Sequence, residues 1–398
     1  MKTIAIIGGG PAAIMLAAML DETKFQVHIY EKNATLGRKF LVAGDGGFNL
    51  THSEDIEMLV QRYTPQNFLD EALRSFTNVD LCNWLKSIKI ETYTGSSKRI
   101  FPVKGVKPIE VLNAFLGKLK EKEVTIHTYH EWKGWSIDNA LLFLHKEQDV
   151  IVHADKVVFA LGGASWKVTG SDGDWLELFH QKGIEIKHFQ ASNCGYCVSW
   201  PIAFIEKYEG AWLKNISVSC GDTNKKGELV ISQLGIEGGA VYALSPDIRE
   251  LLNNTNAAEI SIDFKPLFSK EELLEKLTTQ SNKSLTQRLK SELNLSDVQI
   301  ALLKSHISKE DFIDAQTLVV HIKSFKICIT DMAPINEAIS TVGGIVLSEL
   351  KKNFQLKKIP NQYGIGEMLD WDAPTGGYLL QGCFSMGVFV GRYFNALE

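Results

Sequence analysis

A glycine-rich turn lies between a strand pattern and a helix pattern near the start of the chain, and it limits the possible folds more than any other feature. Residues 3–7 are a β-branched apolar run that stops at Gly8, and residues 11–20 are rich in Ala, Leu and Met, which favour helix. Residues 26–30 are typical of a second short strand. The order strand, tight turn, helix, strand predicts a βαβ unit and therefore a parallel sheet.

The turn also matches the dinucleotide-binding pattern G-x-G-x-x-[GA]. Gly8 permits the tight turn, Gly10 lets the backbone approach a diphosphate, and Ala13 keeps the helix close to the strand. A helix that starts at Pro11 presents free N–H groups to an anion. Glu31 follows Gly8 by 23 residues, a position where a carboxylate binds a ribose hydroxyl and repels a 2′-phosphate. The pattern favours FAD or NAD over NADP, and the alternative is a glycine turn of some other α/β protein.

Composition excludes several classes of protein. The chain of 398 residues is long enough for two to three domains, and 42 Lys and Arg against 47 Asp and Glu give a formal charge of −5. This balance disfavours a nucleic-acid partner, which needs a basic surface. Six cysteines are too few for a disulfide framework and indicate reduced thiols and a cytoplasmic location. Glycines interrupt the uncharged stretch 4–20, so we expect neither a signal peptide nor a membrane span.

Three further segments carry glycine-rich motifs. Residues 36–52 contain L-G-R-K and then G-D-G-G-F-N-L-T-H, residues 160–173 contain A-L-G-G-A-S-W and G-S-D-G, and residues 366–381 contain G-E-M-L-D and A-P-T-G-G-Y-L-L-Q. Together they resemble the motifs of a flavoprotein family of NAD(P)/FAD-dependent oxidoreductases that includes aminoacetone oxidases and bile-acid enone reductases. The family belongs to the two-dinucleotide-binding-domain flavoproteins. The resemblance implies FAD as the cofactor.

The first turn and these segments supply the predicted cofactor-binding residues, which are Gly8, Gly10, Pro11, Ala12, Ala13, Glu31, Lys32, Arg38, Lys39, Gly44, Asp45, Gly46, Asn49, Leu50, Thr51, Ala160, Gly162, Gly163, Gly366, Glu367, Asp370, Gly377, Tyr378 and Leu379. We expect Arg38 and Lys39 to balance diphosphate charge. A helix predicted over residues 378–393 is expected to direct its N-terminus at the N1 and C2 carbonyl edge of the isoalloxazine ring. Many members of the family carry Arg and Cys where this chain has Gly47 and Phe48, so any role of those side chains near the flavin is absent here and the resemblance does not by itself identify the substrate.

The motifs at both ends of the chain predict an α/β FAD-binding domain that is Rossmann-like, of glutathione-reductase type, and formed by residues 1–190 and 332–398. Residues 191–331 are predicted to form an inserted substrate or lid domain of mixed structure. Within it, we expect residues 191–265 to be β-rich, residues 266–315 helical and residues 316–331 a return strand. In the first domain, residues 124–128, 141–145 and 150–153 suggest a small antiparallel excursion.

The predicted function is hydride transfer between a small organic substrate and flavin N5. An enone-type reductase that uses NAD(P)H competes with an amine oxidase that produces hydrogen peroxide. We find no second nucleotide-binding turn, so NAD(P)H is expected only as a transient electron donor. A non-catalytic FAD-carrying binding or sensor protein is a further alternative. An FAD-dependent RNA-modifying enzyme is disfavoured by the charge. The oligomeric state and the catalytic residues stay unassigned.

A cysteine pair and one histidine suggest more specific chemistry. Cys194 and Cys197 form a C-x-x-C pair, but they lack the strand and helix context of a redox disulfide, and two buried thiols are the favoured interpretation. A structural zinc needs four ligands, and no second pair supplies them, so we expect no metal. His52 adjoins a flavin motif, where it either acts as a general base or simply makes a structural hydrogen bond.

Overall fold

The computed structural model describes residues 1–42 and 48–397. The chain divides into two compact units, one formed by Met1–Gln190 with Ile339–Glu398 and the other by Ala191–Ala338. Residues 332–338, which the sequence analysis assigns to the FAD-binding domain, belong to the second unit. We call the two the nucleotide unit and the inserted unit.

The first part of the nucleotide unit contains the strands β1 (Lys2–Ile7), β2 (Phe25–Tyr30), β3 (Thr51–His52), β4 (Thr92–Thr94), β5 (Arg99–Pro102), β6 (Thr125–His127), β7 (Glu131–Trp135), β8 (Leu141–His145), β9 (Gln148–Val152), β10 (Lys156–Phe159) and β11 (Ile186–Ser192). Its helices are α1 (Pro11–Met19), α2 (Arg38–Leu41), α3 (Ile56–Leu59), α4 (Asp70–Ser75), α5 (Asn78–Ser87), α6 (Pro108–Glu121) and α7 (Leu176–Gln181).

The inserted unit contains the strands β12 (Tyr196–Cys197), β13 (Trp212–Cys220), β14 (Thr223–Ile231), β15 (Gly235–Glu237), β16 (Ala258–Asp263), β17 (Phe325–Ile329) and β18 (Asp331–Met332). Its helices are α8 (Ile202–Tyr208), α9 (Gly239–Tyr242), α10 (Ser245–Thr255), α11 (Lys270–Thr278), α12 (Leu285–Ser291), α13 (Asp297–His306), α14 (Lys309–Ile313) and α15 (Ala315–Lys323). The last part of the chain adds β19 (Ser340–Ile345), β20 (Gln362–Gly364) and α16 (Tyr378–Leu397) to the nucleotide unit.

A five-stranded sheet in the order β20-β10-β1-β2-β6 forms the centre of the nucleotide unit. Every pairing within it is parallel. The four residues Ile4–Ile7 are each at most 1% exposed, as expected for a strand covered on both faces. The predicted α/β, Rossmann-like class is confirmed.

The edge strand β6 departs from the expected pattern. We predicted that residues 124–128 belong to an antiparallel excursion, whereas β6 pairs in parallel with β2. The helix α6 precedes β6 and returns the chain to the same end of the sheet, so the segment completes a crossover. The antiparallel excursion instead consists of β7, β8 and β9, and the pairing of β8 with β9 follows the prediction.

The helices α1 and α16, which are far apart in the sequence, pack closely against each other in the nucleotide unit. A Cβ atom at Gly387 would lie 2.6 Å from the Ala12 carbonyl oxygen, and one at Gly391 would lie 2.9 Å from Cβ of Met19. Small residues on α16 therefore let its backbone approach α1, and the C-terminal helix covers the first βαβ unit. Neither α16 nor any other helix of the described ranges has the length and apolarity that a membrane span needs.

The inserted unit has its own hydrophobic core, built on a seven-stranded sheet in the order β17-β16-β13-β14-β15-β12-β18. The part predicted to be β-rich also contains the eleven-residue helix α10. The predicted return strand is wrong in its first half, because residues 315–323 form helix α15 and only Phe325–Ile329 form a strand. Leu318, Val319 and Ile322 bury one helical face, and the Asp314 side chain caps the N-terminus.

Candidate functional site

The predicted motif segments meet at the carboxyl edge of the parallel sheet. Ile7 is in register with Tyr30 and with Phe159, and Phe159 is in register with Gly364, so these strands end side by side. The turns that follow are joined by backbone hydrogen bonds, including one of 2.8 Å from the Gly8 N–H to the Tyr30 carbonyl. Ligands of open α/β sheets bind at this edge.

The first glycine turn has the geometry that a diphosphate site needs. Gly8 has a φ of 99°, and a Cβ there would lie 2.4 Å from the Ala160 carbonyl oxygen, so only glycine fits. A Cβ at Gly10 would meet nothing within 4 Å, which leaves open space in front of α1. No side chain caps α1, and Pro11 occupies its first position. The first N–H groups of α1 therefore face an open cradle suited to an anion.

Glu31 lies beside this turn with its carboxylate almost fully covered. The side chain is 9% exposed. Its Oε2 accepts a 2.9 Å hydrogen bond from the Gly9 N–H, and its Oε1 accepts bonds of 2.8 and 2.7 Å from the backbone and side chain of Asn33. A carboxylate has about four acceptor positions, so Glu31 keeps capacity for a hydroxyl donor.

Lys32 and Arg38 bind neighbouring protein groups in the structure. The Lys32 ammonium lies 2.6 Å from the Asp172 carboxylate. Arg38 donates a 2.5 Å bond to the Asn33 side-chain oxygen and a 3.0 Å bond to the Val168 carbonyl. These contacts join the segment after Glu31 to the second glycine-rich segment. The expectation that Arg38 balances a diphosphate stays a prediction.

Lys39 joins three of the predicted segments. Its ammonium lies 2.8 Å from the Ser165 hydroxyl and 3.0 Å from Oε2 of Glu367. Glu367 also accepts a 3.0 Å bond from the Thr341 N–H, and the Thr341 hydroxyl accepts a 3.2 Å bond from the Ala164 N–H. We call this set, Lys39, Ser165, Thr341 and Glu367, the lysine cluster.

Sequence reasoning did not assign Thr341 to the site. The glycine-rich stretch at residues 341–344 is a local signal that marks it. A Cβ at Gly163 would lie 2.1 Å from the Thr341 hydroxyl oxygen, so Gly163 is needed for the close approach of these two segments.

The start of α16 is held directly against β3. Gly377 has a φ of 98°, and a Cβ there would lie 2.5 Å from Cα of Thr51. The Thr51 hydroxyl donates a 2.7 Å bond to the side-chain carbonyl of Gln381. Gly376 and Gly377 carry no side chain, so neither residue can cap the N–H groups in the first turn of α16.

Glu54 and Arg62, which the sequence analysis did not assign to the site, form a group of polar side chains with Tyr378 beside this helix start. The Tyr378 hydroxyl donates a 2.8 Å bond to Oε2 of Glu54, and Arg62 Nε donates a 2.9 Å bond to the same oxygen. Although burial opposes it, these hydrogen bonds hold the pKa of Glu54 below its usual value. Burial and the neighbouring Glu54 raise the pKa of Tyr378, so its phenol stays protonated.

His52 belongs to the same group. Its ring stacks on the Tyr378 ring at 4.9 Å, and its Nδ1 accepts a 3.2 Å hydrogen bond from the Glu54 N–H. Burial lowers the pKa of His52, which keeps the ring neutral at pH 7. These contacts favour the structural hydrogen bond over the general-base interpretation.

The remaining predicted residues have different surroundings. Gly44, Asp45 and Gly46 lie outside the described residues. Asp370 pairs with Lys187 at 2.7 Å. Gly366 has a φ of 84°, and a Cβ there would lie 3.2 Å from Cβ of Ala12. The others lie on the segments already described: Ala13, Asn49, Leu50, Ala160, Gly162 and Leu379.

Neither cysteine of the C-x-x-C pair has the features of a reactive thiol. Both are free, Cys194 is buried, and burial raises the pKa of Cys194 to about 11. Within residues 1–42 and 48–397, no three His, Cys, Asp or Glu side chains are grouped so as to hold a metal ion.

Comparison with known proteins gives a consistent result. The family model described as HI0933-like protein Rossmann domain matches residues 2–393. A 3-dehydro-bile acid delta(4,6)-reductase from Clostridium scindens is 24% identical over 418 residues, which covers 98% of this chain and 98% of that protein. A ribosomal RNA dihydrouridine synthase from Haemophilus influenzae is 23% identical and covers 96% of this chain and 95% of that protein.

Solved structures share the fold at low identity. The 3-ketosteroid delta1-dehydrogenase from Sterolibacterium denitrificans has a TM-score of 0.51 and 11% identity, with 100% of both chains covered. The open conformation of a flavocytochrome c3 fumarate reductase has a TM-score of 0.51 and 13% identity, and the match covers 100% of this chain and 79% of that one.

Proposed function

The chain belongs to the HI0933-like Rossmann family, and from this premise we propose that it is an FAD-dependent oxidoreductase that reduces a carbon–carbon double bond conjugated to a carbonyl group. The observation that supports FAD binding is the uncapped, open N-terminus of α1 beside the buried Glu31 carboxylate, and the sequence relatives support the reaction class. The family membership agrees with the flavoprotein resemblance that the sequence motifs predict.

The residues at the sheet edge suit the parts of FAD. The α1 N-terminus at Gly10 would receive the diphosphate, and Glu31 would accept a ribose hydroxyl. Lys39 and Glu367 form an ion pair at 3.0 Å that joins two of the segments expected to surround the cofactor. The start of α16 would face the pyrimidine edge of isoalloxazine.

The two sequence relatives suggest the reaction class. One is named for reducing delta(4,6) bonds of a 3-dehydro-bile acid and the other for making dihydrouridine. Both names describe saturation of a double bond conjugated to a carbonyl. When bound and reduced by NAD(P)H, the flavin would supply hydride from N5 to the electron-poor carbon of such a bond. The chain would bind and orient the two partners and exclude water from them.

Charge favours a small molecule over RNA as the substrate. The inserted unit, residues 191–338, contains 15 Lys and Arg against 19 Asp and Glu, and the rest of the chain contains 27 against 28. Neither unit has the excess of basic residues that phosphate contacts require. We therefore propose a small conjugated ketone as the substrate and NAD(P)H as the transient electron donor.

Anaerobic spectroscopy on the purified holoprotein tests the proposal. We expect NADH or NADPH to bleach the flavin bands and a 4-ene-3-keto steroid, used as the probe, to restore them without oxygen. Restoration by uridine-containing ribosomal RNA alone would assign the RNA reaction instead. Bleaching by amines, with oxygen uptake, would indicate an amine oxidase. Absence of bleaching by every donor would contradict an enzymatic role.

A further inference from the structure

Arg99 lies beside the start of α16 on the small sheet β3-β5-β4. Arg99 is the register partner of His52 in the β3–β5 pair. Residues paired in this way project from the same face of a sheet, and the Tyr378 ring stacks on the His52 ring at that face. Arg99 is half-buried, and its Nε would lie 3.3 Å from a Cβ at Gly376. Its guanidinium therefore lies next to the two glycines that precede α16.

The other nearby arginine is already neutralised. Arg62 pairs with the Glu54 carboxylate through two nitrogens, and the Tyr378 hydroxyl completes that group. For Arg99, by contrast, no ion pair or side-chain hydrogen bond is found within the described ranges. Near the start of α16, the charge of Arg62 is therefore neutralised by Glu54, whereas no described carboxylate pairs with Arg99. A guanidinium stays charged at every physiological pH.

We propose that Arg99 stabilises the negative charge that reduction places on the N1 and C2 carbonyl edge of the isoalloxazine ring. The inference rests on the proposed function, because it requires FAD at this sheet edge. It adds a side-chain cation to the expected effect of the α16 N-terminus, which bears only about half an elementary charge. The β5 backbone at this position is held by a 2.8 Å bond from the Gly95 N–H to the Arg99 carbonyl, so the side chain extends from a fixed point of the sheet.

The flavin reduction potential of the holoenzyme tests the inference without measuring turnover. We expect Arg99→Met to lower the equilibrium constant for two-electron reduction at least about tenfold, which corresponds to about 30 mV. The affinity of the oxidised flavin for sulfite, which reports positive charge near the ring, should fall in parallel. Arg99→Lys should recover part of both effects. Lys98→Met removes an adjacent exposed cation and should leave both values unchanged.

Three outcomes separate the two proposals. Failure of the wild-type protein to bind FAD would overturn the proposed function and this inference together. FAD binding with an unchanged potential in Arg99→Met would overturn the inference alone. An unchanged potential with a raised KM for the ketone probe would assign Arg99 to the substrate and would equally contradict the inference. If Arg99→Met does not fold by circular dichroism, the uncharged Arg99→Gln against Lys98→Met provides the same comparison.

Discussion

Three helices of the inserted unit begin differently from two helices at the sheet edge of the nucleotide unit. In the inserted unit, α11, α12 and α13 each begin after a serine whose side chain accepts a hydrogen bond from the helix backbone, and each has a capping box. In the nucleotide unit, α1 begins after Gly10 with no side-chain cap, and α16 follows Gly376 and Gly377. A capped N-terminus satisfies its own N–H groups, whereas an uncapped one leaves them for a ligand. For these five helices, we interpret the capped starts as stabilising the fold and the uncapped start of α1 as available to a ligand.

The largest expected effect comes from capping α1 artificially. Gly10→Asp places a carboxylate in the open cradle, where it caps the helix and repels a diphosphate. We expect FAD affinity to fall at least about a hundredfold, which corresponds to about 2.8 kcal/mol. The melting temperature of the apoprotein should stay the same or rise. Fluorescence titration with FAD and thermal unfolding measure both quantities, and retained affinity would contradict the comparison.

Removing the charge of Glu31 should have a smaller effect on the same ligand. Glu31→Gln weakens charge-assisted hydrogen bonds, so FAD affinity is expected to fall about tenfold. Glu22→Gln is a matched control, since Glu22 is a carboxylate of the same unit that pairs with Lys122. The same titration measures both variants. Equal affinities for the two would show that Glu31 does not contact the cofactor.

Removing a cap in the inserted unit should affect stability and not the cofactor. Ser296→Ala deletes the side chain that accepts a hydrogen bond from the Gln299 N–H, and we expect it to lower the free energy of unfolding by about 1 kcal/mol. Ser296→Asp retains a capping oxygen and should recover most of this loss. Urea denaturation measures the effect. A fall in FAD affinity with the fold intact would remove the distinction between the two kinds of helix.

The smallest expected effect is a loss of folding stability at acidic pH. Burial lowers the pKa of His28 and of His127, whose ring nitrogens lie 3.0 Å apart in the nucleotide unit. Below about pH 6.5 the unfolded chain binds protons that these folded side chains do not, so stability is lost as the pH falls. Between pH 7 and pH 5, His127→Gln should show a shallower loss than the wild type. An identical slope in urea denaturation would contradict this assignment.

The features that could be predicted from the sequence are those whose physical cause lies within a short segment of the chain. The tight turn at Gly8 and the position of Glu31 at a strand end could be predicted because both residues belong to one βαβ unit. The parallel sheet followed from the same unit. The separation of the motifs along the chain also pointed to a domain built from both ends.

Other features depend on contacts between distant segments. Thr341 meets Gly163, and Tyr378 meets Glu54, only after the chain has folded, so no local pattern shows which residue is the partner of which. The sequence of β6 is equally compatible with a parallel and with an antiparallel neighbouring strand. The helix α15 buries Leu318, Val319 and Ile322 on one face and is capped by Asp314, and the predicted return strand at residues 316–331 does not account for this helical packing.

Stoichiometry of FAD in the purified protein tests the central claim most directly. The visible spectrum of the wild-type chain should show flavin bands equivalent to about one FAD per chain, and that of Gly10→Asp should show a clearly lower flavin content. A colourless wild-type protein that does not take up FAD on reconstitution would contradict the account, as would equal flavin content in the two proteins.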